Sequence, residues 1–154
     1  MIDLLSLMAF HAAYADTIDS DRLEQWPDFF APDAHYRITH VENEQQGLPA
    51  GIVWADSRAM LEDRVAALRE ANIYERQAYR HVVGLPSLDA GTDGAVHAET
   101  PFLVVRVMRD GSMDLFATGR YVDLMVEEGG TLRFRERVVV CDSSRVDTLL
   151  AIPL

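Results

Sequence analysis

Cysteine is almost missing from this chain, with Cys141 alone among 154 residues. A single thiol closes no internal disulfide and cannot furnish the paired cysteines of a zinc or iron-sulfur site within one chain. The natural setting is a reducing compartment, the cytoplasm. Positive charge is scarce as well: 14 Lys and Arg face 25 Asp and Glu, a formal net charge of -11. Nucleic acid and anionic membranes would both meet an already anionic surface, so neither is an expected partner. Long apolar runs are missing too, none approaching the ~20 residues that cross a bilayer as a helix. The apolar opening, residues 1–10, carries Asp3 where a secretory leader carries Lys or Arg and has no small-residue cleavage signal, so it reads as the start of a helix.

What is present is the balance of a soluble globular protein, 49% apolar and 25% charged, in a length that suits one domain over residues 1–154. Leu4, Leu7, Met8, Phe10, Tyr14 and Ile18 recur at helical spacing behind a capping Asp3. Ser20 is placed to cap a second, short helix with Leu23, Trp26, Phe29 and Phe30, which Pro27 makes irregular and Pro32-Asp33 end. A strand over 35–42 and an exposed loop over 43–51 follow. The spacing of Met60, Leu61, Val65 and Leu68 predicts a third helix from Ser57. Beyond Ile73 come four extended runs, 79–88, 96–109, 113–127 and 131–142, parted by the turn signals Thr92-Asp93-Gly94, Asp110-Gly111 and Gly129-Gly130. Helices first and a meander afterwards predict an α+β domain, its N-terminal helices packed on one face of a long, curved, mainly antiparallel sheet.

That sheet is apolar on both faces. Phe102 and Val104 oppose Leu103, Val105 and Val107, while Leu115, Tyr121 and Met125 oppose Phe116, Val122 and Leu124. Helices cover one face, so the other calls for a second subunit. On the last strand Arg133, Arg135 and Arg137 alternate on one face, with Leu132, Phe134, Val138 and Val140 on the other. Such a row reads either as a solvated face or as an interface; Glu99, Asp114 and Asp123 are the acids nearby. Together with Arg106, Arg120 and the apolar ending 149–154, including Leu150 and Leu154, these arginines form the expected subunit interface.

Candidate chemistry is thin. His35 and His40 follow Asp33 in a spacing superficially like a 2-His-1-carboxylate iron site, but residues five apart on a strand point to opposite faces. His81 and Asp33 with Tyr14, Tyr36 or Tyr79 can be read as the acid/base set of a standalone isomerase or dehydratase, lining a cone between helices and sheet. The same cone can be read as a ligand pocket without chemistry. Buried Tyr and His more often satisfy their polar ends on backbone. Cys141 has no basic pair near it in sequence and reads as a packing residue. No catalytic, cofactor-binding or metal-binding residue is assigned to this chain.

Trp26, Phe30, Asp33 and Tyr36, then Asp63-Arg64, Leu68-Arg69 and Arg80-His81, and finally Arg135, Arg137, Val138 and Asp142 carry a family likeness. Along essentially its whole length the chain resembles the small (beta) subunits of aromatic-ring-hydroxylating dioxygenases. Residues 51–57, 67–76 and 147–154 are similar to the terephthalate type in particular. One departure is Val83-Gly84-Leu85-Pro86, where many members carry a Ser/Thr-Asn pair after the Arg-His. The resemblance implies a cystatin-like, NTF2-like cone, and a scaffold role in bacterial aromatic acid catabolism. It also implies an α3β3 hexamer in which three small subunits associate as a trimer beneath three large ones. The Rieske 2Fe-2S cluster and mononuclear non-haem Fe(II) would then belong to the large subunit, fed by an NAD(P)H-dependent reductase.

Overall fold

The computed structural model of the chain describes residues 2–47, 53–71, 77–144 and 152–154. Helix α1, Leu4–Asp19, starts at Asp3, whose carboxylate accepts from the Ser6 N–H at 2.7 Å while the Ser6 hydroxyl accepts from the Asp3 N–H at 3.1 Å. This reciprocal cap satisfies two donors that a helix start leaves orphaned. Leu7, His11, Tyr14, Ala15 and Ile18 line its buried face, and the apolar Leu4, Leu5 and Met8 face outward.

Ser20 terminates α1 instead of capping the next helix. That next segment is a 3-10 helix, Leu23–Phe29, without a side-chain cap and with Pro27 inside it, a short tight winding of the kind such sequences take. Strand β1, Phe30–His40, already begins at Phe30, so Pro32 and Asp33 sit within a strand and do not end a helix. The ladder to the neighbouring strand skips from Phe30 to His35, an irregular stretch where a residue lacking an N–H is tolerated. The stretch expected as loop opens with a short helix α2, Val41–Gln45. Strand β2, Val53–Ala55, and helix α3, Arg58–Ala71, follow. Helix α3 buries Leu61 and Val65 but turns Met60 outward.

Strands β3 (Gln77–Val83), β4 (Ser87–Ala90), β5 (Val96–Met108), β6 (Met113–Glu128) and β7 (Thr131–Cys141) build the meander. The run expected as one strand over 79–88 is two, because the Gly84 N–H turns to the Pro101 carbonyl at 2.8 Å and Pro86 has no N–H to continue a ladder. Sheet order is β2-β1-β7-β6-β5-β3, with β4 also on β5, and every pairing is antiparallel except β1 with β7. Gly129 and Gly130 have φ of 57° and 79°, the left-handed pair that a tight β6–β7 hairpin requires.

Two bulges decide what faces the core. Val104 pairs with Ala117 and Val105 with Leu115, leaving Phe116 extra in β6; Leu124 pairs with Glu136 and Met125 with Phe134, leaving Arg135 extra in β7. One inserted residue exchanges the two faces for everything beyond it. Leu115 therefore lies on the outer face, 63% exposed, and not with Tyr121 and Met125. By the same shift Arg137 leaves the face of the other arginines and enters the core beside Phe134, Val139 and Cys141.

The inner face of the sheet, α1, the 3-10 helix and α3 enclose an aromatic core in which Tyr14, Trp26, Phe30, Tyr36, Tyr121 and Phe134 are fully buried. Phe102 stacks on Tyr121 at 4.4 Å and Trp26 meets Tyr36 edge-on at 5.2 Å, arrangements favoured by the ring quadrupole. Helices on one face of a curved, mainly antiparallel sheet make this the NTF2-like cone that the resemblance implied. The outer face keeps its apolar character, with Trp54, Val82 and Leu115 exposed and Leu103, Val105, Val122 and Leu124 half-buried.

Candidate functional site

Arg137 occupies the middle of the cone. Its Nε and one terminal NH2 each donate to the carboxylate of Asp123, directly opposite on β6, at 2.8 Å. The guanidinium carbon lies 3.7 Å from the ring centre of Tyr121, 4.1 Å from Phe134 and 4.4 Å from Tyr14. The planar fork thus meets both of its preferred partners, a bidentate carboxylate and aromatic faces. The same NH2 donates to His11 Nδ1 at 3.1 Å, which places the His11 proton on Nε2, 3.2 Å from Thr100 Oγ1. Burial, reinforced by the Arg137 cation, lowers the His11 pKa to about 3.

Beside this cluster the Tyr14 hydroxyl donates to the Leu154 carbonyl at 2.8 Å and accepts from Trp26 Nε1 at 3.0 Å, and the Tyr36 hydroxyl donates to the same carbonyl at 3.0 Å. These side chains form one stacked and hydrogen-bonded cluster beneath part of α1. Arg137 was not legible as part of it from strand periodicity, whereas His11, four residues after Leu7 and three before Tyr14, lies on the helix face that those two define.

The residues expected at a subunit interface fall into different places. Arg133 lines a groove with Phe10, Gln25, Asp28 and Phe29, Arg135 projects from the β7 bulge into solvent, and Arg137 is fully buried. The three alternating arginines therefore do not share a face, and Arg137 offers no surface to a partner. Arg120 lies 2.9 Å from Glu99; Arg106 pairs with Asp114 at 3.1 Å and sits 4.7 Å over the Phe116 ring. Leu154 is fully buried on the chain's own core, and Leu150 lies outside the described residues.

His35 pairs with Asp56 at 3.0 Å, five positions and one face away from His40 along β1. Asp33 is exposed on β1, and three strands separate it from His81 on β3, so the acid/base set read from the sequence is not assembled. His81 pairs instead with Asp19, 62 residues away, a contact that no local pattern announces. Burial and the neighbouring Asp142 push the Cys141 thiol up to about 12, as suits a packing residue. Among the described residues no group of three or more His, Cys, Asp and Glu side chains is arranged to hold a metal ion, and no helix is long and apolar enough to cross a membrane.

A cone plugged by its own arginine, with an apolar outer face, accords with a component of a larger assembly. The family model for the ring hydroxylating beta subunit matches residues 13–148. The chain belongs to that family, the non-catalytic subunits of ring-hydroxylating dioxygenases, whose partner is a large alpha subunit. Over 154 residues, all of both chains, it is 55% identical to the terephthalate 1,2-dioxygenase terminal oxygenase component subunit beta 1 of Comamonas sp. It is 41% identical to the anthranilate 1,2-dioxygenase small subunit of Burkholderia cepacia over 92% of this chain and 88% of that one. A crystal structure described as the beta subunit of an aromatic-ring-hydroxylating dioxygenase from Novosphingobium aromaticivorans superposes with a TM-score of 0.90, at 38% identity, covering 98% of this chain and 96% of the other.

Proposed function

We propose that this chain is the small subunit of a terephthalate 1,2-dioxygenase terminal oxygenase, acting as a scaffold in an α3β3 hexamer. The observation that carries the reading is the 55% identity over the whole of both chains to the Comamonas subunit of that enzyme. In this reading residues 1–154 act as one domain, and three copies associate beneath three large subunits in the bacterial cytoplasm. The Rieske cluster and mononuclear iron(II) belong to the large subunit, and a reductase delivers electrons from NAD(P)H. The small subunit affects rate by holding neighbouring large subunits in register.

The buried cluster around Arg137 supports a rigid structural part. The outer face supports subunit contact: Trp54, His35, Arg37, Glu136 and Val138 line a groove of about 270 Å3 there, and exposed Trp and Arg are the residue types that anchor protein interfaces. Arg106, Arg120, Arg133 and Arg135 remain the proposed contacts with neighbouring chains, together with Leu150. Arg137 and Leu154 support that surface from within.

Expression of the large subunit with and without this chain tests the reading. A hexamer that dihydroxylates terephthalate should form only when the two are together. A large subunit of full activity and normal oligomeric state on its own would refute the scaffold role, and a complex that oxidises anthranilate but leaves terephthalate untouched would refute the substrate.

A further inference from the structure

Strand β3 ends the sheet and is bonded to β5 on one side only. Hydrogen bonds in an antiparallel pair alternate along each strand, and the Gly84 N–H donates to the Pro101 carbonyl at 2.8 Å. Val82 and Arg80 therefore bond toward β5 as well, while His81 and Val83 turn their N–H and C=O groups to the free edge. The His81 N–H bears this out: it donates at 2.8 Å to the carboxylate of Asp19, the last residue of α1. Asp19 thus supplies one acceptor that a further strand would otherwise bring. The Val83 N–H and C=O have no partner among the described residues. Such an open edge is a template for pairing with another chain.

The edge borders a cleft of about 480 Å3 whose opposite wall is α1, at Met8, Ala12, Ala15 and Asp16. Residues 80–84 line it consecutively although their side chains alternate between the two faces of the sheet, so its floor is main chain. Five residues of extended chain span about 16 Å, which sets the length of segment that can pair there. The surroundings are apolar, with Met8, Val82 and Leu85 exposed. At the mouth Asp16 is paired with Arg22 at 2.7 Å and lies in the field of Arg80, so the charges there already have counterparts. A strand in this cleft has α1 along its other edge and can carry no sheet of its own. That excludes β3 or β2 of a second copy, each bound to a neighbouring strand, and selects a loop or terminal segment. We infer that the cleft between α1 and β3 is the docking site for one extended, apolar, uncharged segment of the large subunit, which pairs with the β3 edge at Val83. The inference rests on a large subunit being this chain's partner and adds where that partner docks and in what conformation.

Hydrogen–deuterium exchange read by mass spectrometry, on this chain alone and in complex with the large subunit of its host, tests it. Exchange at the Val83 amide should slow about tenfold or more in the complex, the worth of one hydrogen bond. Val83→Pro removes that donor but no bond to β5, and an edge strand tolerates it; the variant should fold and associate about tenfold more weakly. Should it fail to fold, Ala12→Glu sets a charge on the α1 wall of the cleft and should weaken association in the same direction. A complex in which Val83 exchanges as fast as in the free chain, Val83 protection before the large subunit is added, or undiminished association of whichever variant folds overturns the inference and leaves the scaffold role standing. Parent chains that form no complex at all overturn both.

Discussion

Asp123 and Arg137 face each other across β6 and β7, joined by two hydrogen bonds of 2.8 Å, with both side chains wholly removed from water. Withdrawing two charges from solvent costs several kcal/mol per ion, which only good geometry and additional partners offset. The bidentate fork, the three rings around the guanidinium and the His11 contact supply those partners, and they tie β6, β7 and α1 into one unit.

Breaking the pair from one side should therefore be severe. Arg137→Leu leaves Asp123 buried and uncompensated, and urea denaturation should register a loss of about 3–5 kcal/mol. The double variant Asp123→Leu/Arg137→Leu should be more stable than Arg137→Leu alone, since no isolated charge is left behind. A single variant as stable as the parent would show that the pair does not hold the core.

His11 gives the fold an acid limb. Its folded pKa of about 3 lies below the ordinary 6.5, so the unfolded chain binds the extra proton between those values and stability falls as pH drops through that window. Above 6.5 the effect is absent. Each pH unit inside the window costs about 1.4 kcal/mol, so lowering pH from 7.5 to 5 should remove about 2 kcal/mol through this residue. His11→Gln keeps a donor and an acceptor but cannot titrate, and its denaturation midpoint should change less with pH over that range.

Gly119 is demanded by close approach. A Cβ built there would lie 2.0 Å from the Val140 carbonyl oxygen, so Gly119→Ala must push β6 off β7 in the same ladder that aligns Asp123 with Arg137. Thermal denaturation should show a loss above the ~1 kcal/mol of an average substitution. An unchanged melting temperature would contradict the strand spacing.

Arg135 is the extra residue of the β7 bulge and is exposed. Arg135→Glu should leave the fold and denaturation midpoint nearly unchanged while weakening assembly with the large subunit, read as a smaller mass in native mass spectrometry. An unchanged complex mass removes Arg135 from the proposed interface.

Much of this molecule is readable in its sequence because its determinants are local. The Asp3 cap, the glycine-bearing hairpin turns and the long β-rich runs each fix their own element, and order along the chain is enough for the α+β layout. What stayed hidden depends on partners distant in sequence. Alternation read along β7 puts Arg133, Arg135 and Arg137 on one face, and it fails at a bulge that is defined only by pairing with Leu124 and Met125. The same one-residue error moves Leu115. Asp19–His81 joins the end of a helix to an edge strand, and Asp33–His81 was a sequence pairing that the strand order forbids. The run Val138-Val139-Val140-Cys141, apolar at every position, was the available sign that strict alternation does not govern this strand.

The most direct test is recovery of the tagged chain from its native host, with the mass, visible spectrum and iron content of the eluate recorded together. The expected result is co-purification with a larger chain that carries iron and iron-sulfur absorbance, in a complex with equal numbers of the two chains. A colourless, iron-free assembly of this chain alone, from cells growing on aromatic acids, would contradict the account.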